Sequence, residues 1–145
     1  PINISGAKKI KLFKRGWRNL IRNPKLLFGK KENIITHFDM HHGHGNLSKA
    51  IKKIDNKDRD EFEKFVVNKS SYNPHIMFIA RKAILDKWFT TLFLWLERCE
   101  EEFGFDSLKG YDTERLYAYL AERYLSFWFT KYTNYREHPW AFIDF

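Results

Sequence analysis

The sequence predicts a mainly α-helical fold with one or two short strands, and three observations carry that prediction. Residues 77–103 repeat Ile84/Leu85, Trp88/Phe89, Leu92/Phe93, Leu96 and Cys99 at steps of three and four, and Gly104 stands where such a helix stops. A second pattern runs from a cap at Asp112 or Thr113 to about Tyr132. Its Leu116, Leu120, Tyr124, Leu125, Trp128 and Phe129 cover so much of the circumference that burial on more than one side is expected. Third, residues 8–22 place Ile10, Phe13, Trp17, Leu20 and Ile21 on one stripe with Lys and Arg on the remaining arc. This basic amphipathic helix is weakened by Gly16 and ended before Pro24.

The elements follow in order. Residues 24–46, punctuated by Pro24, Gly29, Gly43 and Gly45, predict a loop with one short strand near residues 33–38. Asn46 caps a short helix over 47–54, and Asp55 caps another over 57–68 whose stripe is Phe62, Phe65 and Val66. The helix over 77–103 is then the spine of the core. A chain of 145 residues can bury one core without staples, so residues 1–145 are read as a single domain or as the C-terminal half of a larger one.

Charge is unevenly spread. Formal net charge is +8, yet residues 1–31 hold ten bases and no acid, which leaves sixteen bases against eighteen acids elsewhere, a net of −2. The basic excess is therefore an N-terminal arm, and such an arm seeks phosphates of nucleic acid, anionic lipid or a pyrophosphate-linked substrate. Cys99, the single cysteine, excludes an intrachain disulfide and fits a reducing cytoplasm. Arg81, Lys82, Asp86 and Lys87 interrupt the apolar stretch 76–96 and argue against a spanning helix. No secretory signal pattern opens the chain, and the missing initiator Met suggests a processed or excised piece.

Three constellations could carry chemistry. His37-Phe-Asp-Met-His-His-Gly-His-Gly45 gathers four of the six histidines beside Asp39, a donor set that suits a divalent metal, although zinc-type spacing is missing and the glycines imply a flexible loop. The plainer reading is a polar loop whose imidazoles bond backbone groups. Asn73-Pro74-His75 precedes the spine helix, so Asn73 and His75 would project from a stiff corner near a positive helix end, where a phosphate or sugar hydroxyl could bind. Its alternative is an Asn cap with a structural His. Glu122 and Arg123 interrupt an aromatic helix. A carboxylate there is either a perturbed general base or half of an ion pair with Arg123, Arg115 or Arg81. Cys99 falls on a core stripe, and the cluster Glu97, Glu100, Glu101 and Glu102 reads as a solvated face. Tyr111, Trp128, Tyr132, Tyr135 and Trp140 read as core, with one or two able to stack on a sugar. No glycine-rich phosphate loop occurs.

Three dispersed segments, Phe38-Asp-Met-His-His-Gly-His-Gly-Asn-Leu47, Tyr72-Asn-Pro-His-Ile-Met-Phe-Ile79 and Arg115-Leu-Tyr-Ala-Tyr-Leu-Ala-Glu-Arg-Tyr-Leu-Ser-Phe-Trp128, resemble a family of bacterial polysaccharide-assembly proteins. That family is catalogued mainly as a domain of unknown function and is thought to comprise glycosyltransferases of capsule and O-antigen gene clusters. The resemblance runs from about Pro1 to about Trp140 and covers the C-terminal part of the family's domain, so most of the nucleotide-sugar site is expected before Pro1. It implies the C-terminal side of a GT-A-like α/β glycosyltransferase domain that transfers a sugar from a nucleotide-sugar donor to a growing, lipid-linked glycan acceptor. The arm adds its own expectation: the bases and apolar stripe of residues 8–31 would dock the chain on the anionic cytoplasmic leaflet of the inner membrane. The resemblance also implies that Asp39 and His44 serve a divalent cation, Mn or Mg, as GT-A enzymes often do through a carboxylate motif and a later histidine. The carboxylate motif itself is not visible in this chain. On the same reading His41, His42, Asn73 and His75 bind substrate, while Glu122 and Arg123 act as base or as the charge pair that orients the site.

The rival class is a non-catalytic basic helical module that binds a membrane surface or nucleic acid through the arm. Phe13 and Trp17 lie on the apolar stripe instead of at base-stacking positions, and no helix-turn-helix, RNA-recognition or zinc-finger signature is present, so nucleic acid is not the expected partner.

Overall fold

The structure, a computed structural model, describes residues 2–3, 17, 21 and 32–138. Short strand β1 (Ile2–Asn3) pairs antiparallel with β2 (Ser71–Tyr72), Ile2 opposite Tyr72 and Asn3 opposite Ser71. The other elements are helices: α1 (Ile34–His42), α2 (Asn46–Lys52), α3 (Asn56–Asn68), α4 (Lys82–Phe103), the single turn α5 (Tyr111–Glu114) and α6 (Leu116–Tyr132). The fold is mainly helical. Among the described residues no larger sheet is present.

Helix α6 organises the core. Arg123, Tyr124, Leu125, Ser126, Phe127, Trp128 and Phe129 are all buried in succession, as a helix packed on several sides must be. It packs against α4, α3, α1 and β2. Trp88 and Trp95 of α4 lie on Tyr124, with ring centroids 5.7 and 4.8 Å away, and Phe62 of α3 meets Tyr124 edge-on at 5.3 Å. The buried Trp95 indole N–H donates to Ala50 O at 2.8 Å, which fastens α4 to α2.

Several sequence expectations need correction. Residues 33–38 form the start of α1 and not a strand. Asn33 Oδ1 accepts from Thr36 N–H at 2.9 Å as an N-cap, while Ile34 N–H donates to Lys69 O. The β-branched run Ile34-Ile35-Thr36 suggested a strand, but the cap and the burial of Ile34 and Phe38 outweigh propensity. Helix α4 begins at Lys82 and not at residue 77. Residues 73–81 hold no regular element, and from this stretch Phe78 packs on Phe129 at 4.8 Å. Asn46 is the first residue of α2 and not its cap; its amide instead donates to His42 O and ties α1 to α2. The last long helix starts at Leu116, after α5 opens behind Gly110.

The core aromatics also divide differently from the expectation. Trp128 is buried, but Tyr111, Tyr132 and Tyr135 are exposed, and Trp140 lies outside the described residues. The N-terminal helix over 8–22 is described only at Trp17 and Ile21, which are helical and exposed. The rest of that expectation lies outside the described residues.

Candidate functional site

The histidine-rich segment is largely helix. Positions 37, 38, 41 and 42 of α1 fall on neighbouring rows of one side, so Phe38 and His42 enter the core while His37 and His41 flank them. Gly43 and Gly45, which suggested a flexible loop, have φ values of 99° and 80° and make the tight turn into α2. A Cβ on Gly43 would stand 2.3 Å from the Asn46 amide nitrogen.

At the centre lies Arg123, whose side chain is 1% exposed. Its Nη1 donates to Glu122 Oε2 at 2.7 Å and, more distantly, to Tyr119 O at 3.5 Å. The guanidinium sits 4.1 Å from the Tyr72 ring centroid and 5.4 Å from that of Phe38. Its Nη2 lies 3.4 Å from His42 Nε2. Arginine can only donate, so His42 Nε2 accepts. Nδ1 then carries the proton and donates to Asp112 O at 3.2 Å. His42 also stacks on Tyr119 with ring centroids 3.7 Å apart. Burial, then the Arg123 charge, holds His42 down to about 4, and the same causes in the same order hold His37 down to about 3. Both imidazoles are neutral at physiological pH.

His37 and His41 pack ring on ring with centroids 4.7 Å apart, and His37 lies 6.2 Å from Tyr72. One cluster thus draws His37, His41 and His42 from α1, Tyr72 from β2, and Tyr119, Glu122 and Arg123 from α6. Glu122 keeps 16% of its side chain exposed and forms the edge of the cluster. The ion pair with Arg123, one of the two expectations for this carboxylate, is present.

Other predicted site residues lie elsewhere. Asp39 accepts from Gly45 N–H at 3.1 Å through Oδ1 and meets His44 Nδ1 at 3.3 Å through Oδ2, which closes the α1–α2 turn. Among the described residues no group of three or more His, Cys, Asp or Glu gathers as a metal-binding set. Asn73 adjoins the cluster through its neighbour Tyr72; its N–H donates to Ser126 Oγ at 2.8 Å and its amide to Glu137 at 3.0 Å. His75 is exposed with φ 64°, and since α4 starts only at Lys82 neither residue sits at a helix N-terminus as expected.

A family model described as a domain of unknown function (DUF4422) matches residues 7–134. The chain belongs to that family. No curated protein and no solved structure matches it. Within this DUF4422 chain, sequence reasoning assigned no site role to Tyr72 or Tyr119, whose rings border Arg123. It also missed Asp58, a carboxylate with 0% exposure that accepts from Tyr124 and Tyr132 and pairs with Lys131 Nζ at 3.0 Å. In sequence, Asp58 looks like a routine first-turn acid of α3. Only the return of α6 across α3 surrounds it with partners.

Proposed function

We propose that this chain is the C-terminal portion of a glycosyltransferase that moves a sugar from a nucleotide-sugar donor to a lipid-linked capsule or O-antigen glycan. One observation supports the reading most: the three segments that resemble polysaccharide-assembly proteins, far apart in sequence, meet around Arg123. In the proposed reaction the acceptor oxygen forms a bond to the anomeric carbon as the carbon–phosphate-oxygen bond breaks. The bonding pair leaves with the nucleoside diphosphate, and the acceptor proton passes to Glu122. Before the donor binds, Arg123 holds that carboxylate at the edge of the cluster, and His42 holds Arg123 in turn. His41 and Asn73, at the margin of the cluster, are the proposed contacts to substrate hydroxyls, with His75 farther along the same segment.

The Asp39–His44 pair, engaged in closing a turn, does not by itself fit a resident Mn or Mg ion, and the steps above are those of the protein's own side chains. Exposed Trp17 and Ile21 on the basic arm support a peripheral position on the anionic cytoplasmic leaflet. No described helix is long and apolar enough to cross a membrane.

The test is a transfer assay on the full-length protein, with labelled nucleotide-sugars and a polyprenyl-diphosphate-linked acceptor. Glu122→Gln should lower turnover about 10²-fold or more at unchanged circular dichroism, within the range of a lost general base. Full activity in that variant would reject the base role. Absence of any transfer or donor hydrolysis by the wild type across the common donors would favour the non-catalytic membrane adaptor.

A further inference from the structure

Adjacent residues on a helix point about 100° apart and do not normally face each other. Glu122 and Arg123 nevertheless pair at 2.7 Å, so their side chains bend toward one another, Glu122 from the rim and Arg123 from the interior. The bond to Glu122 is short, and the Tyr72 phenol oxygen also accepts from this guanidinium. Its contacts to Tyr119 O and His42 Nε2 are 3.5 and 3.4 Å, and its Nε–H is buried with no partner. His37 Nδ1 is buried without a partner as well. A buried arginine with unused donors and one carboxylate drawn in from the edge is chemically a seat for an oxyanion.

The surroundings agree. From α1 the seat faces His37, His41 and His42, of which His37 and His42 are held neutral. From β2 it faces the Tyr72 ring and from α6 the Tyr119 ring. The carboxylates near it are Glu122 itself and Asp112, whose charge reaches His42. We infer that Arg123 is an oxyanion seat for a diphosphate group, and that Glu122 occupies it until the ligand's phosphate oxygen displaces the carboxylate. The consequence rests on the transferase reading: arrival of the diphosphate would release Glu122 to accept a proton only when a ligand is bound. The oxyanion seat itself does not depend on that reading, whereas the choice of a diphosphate does.

The experiment titrates the chain by calorimetry in metal-free buffer with two probes that share the chemistry, uridine diphosphate and farnesyl diphosphate. They separate a nucleotide from a lipid-linked source. Glu122→Gln should bind at least one probe about ten-fold more tightly than the wild type, because the internal competitor is gone. Glu101→Gln, which removes an exposed acid on α4, should leave affinity unchanged. Arg123→Lys should lose about ten-fold through loss of the planar fork. Should that variant misfold, the wild-type arginine Nε–H resonance supplies an independent readout and should shift on addition of the probe that binds. Equal or weaker binding by Glu122→Gln, equal tightening by Glu101→Gln, or an unmoved Nε–H resonance would overturn the seat. Tighter binding by Glu122→Gln with full transfer activity would keep the seat and reject the base.

Discussion

His37 and His42 are neutral because burial and the Arg123 charge act in the same direction, with burial the larger. Their folded pKa values, about 3 and about 4, lie below the ordinary 6.5, so the unfolded chain takes up these protons first. The stability they confer is complete above about pH 6.5 and declines as pH falls toward the folded values, by about 1.4 kcal/mol per unit for each histidine. Urea midpoints at pH 7.5 and 5.5 check this, because a His37→Gln/His42→Gln chain should lose much of the difference. An undiminished difference would show that other groups cause it. Asp58 is the other residue on which the fold depends. Its carboxylate pushes the Tyr132 phenol up to about 12, after burial and by way of their hydrogen bond. Asp58→Asn breaks a buried pair and should cost roughly 3 kcal/mol in denaturant unfolding. A loss below about 1 kcal/mol would mean that Lys131 and the phenols find water instead.

At the scale of elements, α1 and α4 show how ends are set. Asn33 starts α1 with a side-chain cap, and Gly104 ends α4 with φ 61° and ψ −167°, a backbone region open essentially to glycine alone. Nothing lies within 4 Å of a Cβ built there, so Gly104→Ala tests the backbone alone. It should destabilise the chain by roughly 1–3 kcal/mol, read as a shift in guanidinium midpoint. Unchanged stability would show that α4 can end in another conformation at no cost. The expected start of α4 at residue 77 differs from the observed start for a related reason. Ile76, Met77, Phe78 and Ile79 carry apolar character that a helix pattern absorbs equally well, and their irregular course brings Phe78 onto Trp88 and Phe129.

For the whole molecule, the pairing of Ile2–Asn3 with Ser71–Tyr72, together with Ile34 N–H on Lys69 O, anchors both ends of the basic arm to one short segment beside Tyr72. The described residues that flank the arm, 2–3 and 32–34, are therefore held beside Tyr72 and the Arg123 cluster. Docking at an anionic leaflet should draw on about 1 kcal/mol per engaged base plus burial of the Trp17 stripe. Co-flotation with anionic liposomes should be strong at low salt, weak at high salt and reduced by Trp17→Ala. An arm made for nucleic acid would respond to salt and little to Trp17. Charge reversal of Lys8, Lys9, Lys11 and Lys14 is a cleaner control than deleting residues 1–31, which would also remove β1 from beside Tyr72. No flotation at low salt, or flotation indifferent to that reversal, would exclude membrane docking.

Patterning alone determined the helical class, the stop at Gly104, the end of the last helix at Tyr132, the burial of Cys99 and the solvation of Glu97, Glu100 and Glu101. Each is a local consequence of periodicity, glycine geometry or charge, and the sequence states them directly. The same reading placed Glu122 and Arg123 among the candidates because charges inside an aromatic helix are conspicuous, and His42 because it stands in a histidine-rich segment. Only the tertiary structure decided that Asp39 and His44 close a turn while His37 and His42 face Arg123, since that choice depends on which flank of α1 meets α6. It alone also enclosed Asp58 and brought Tyr72 over the guanidinium. Those partners are separated by more than fifty residues, and no local propensity couples residues across such a distance. Packing does, through the burial that aligns α1, α3 and β2 on the aromatic surface of α6.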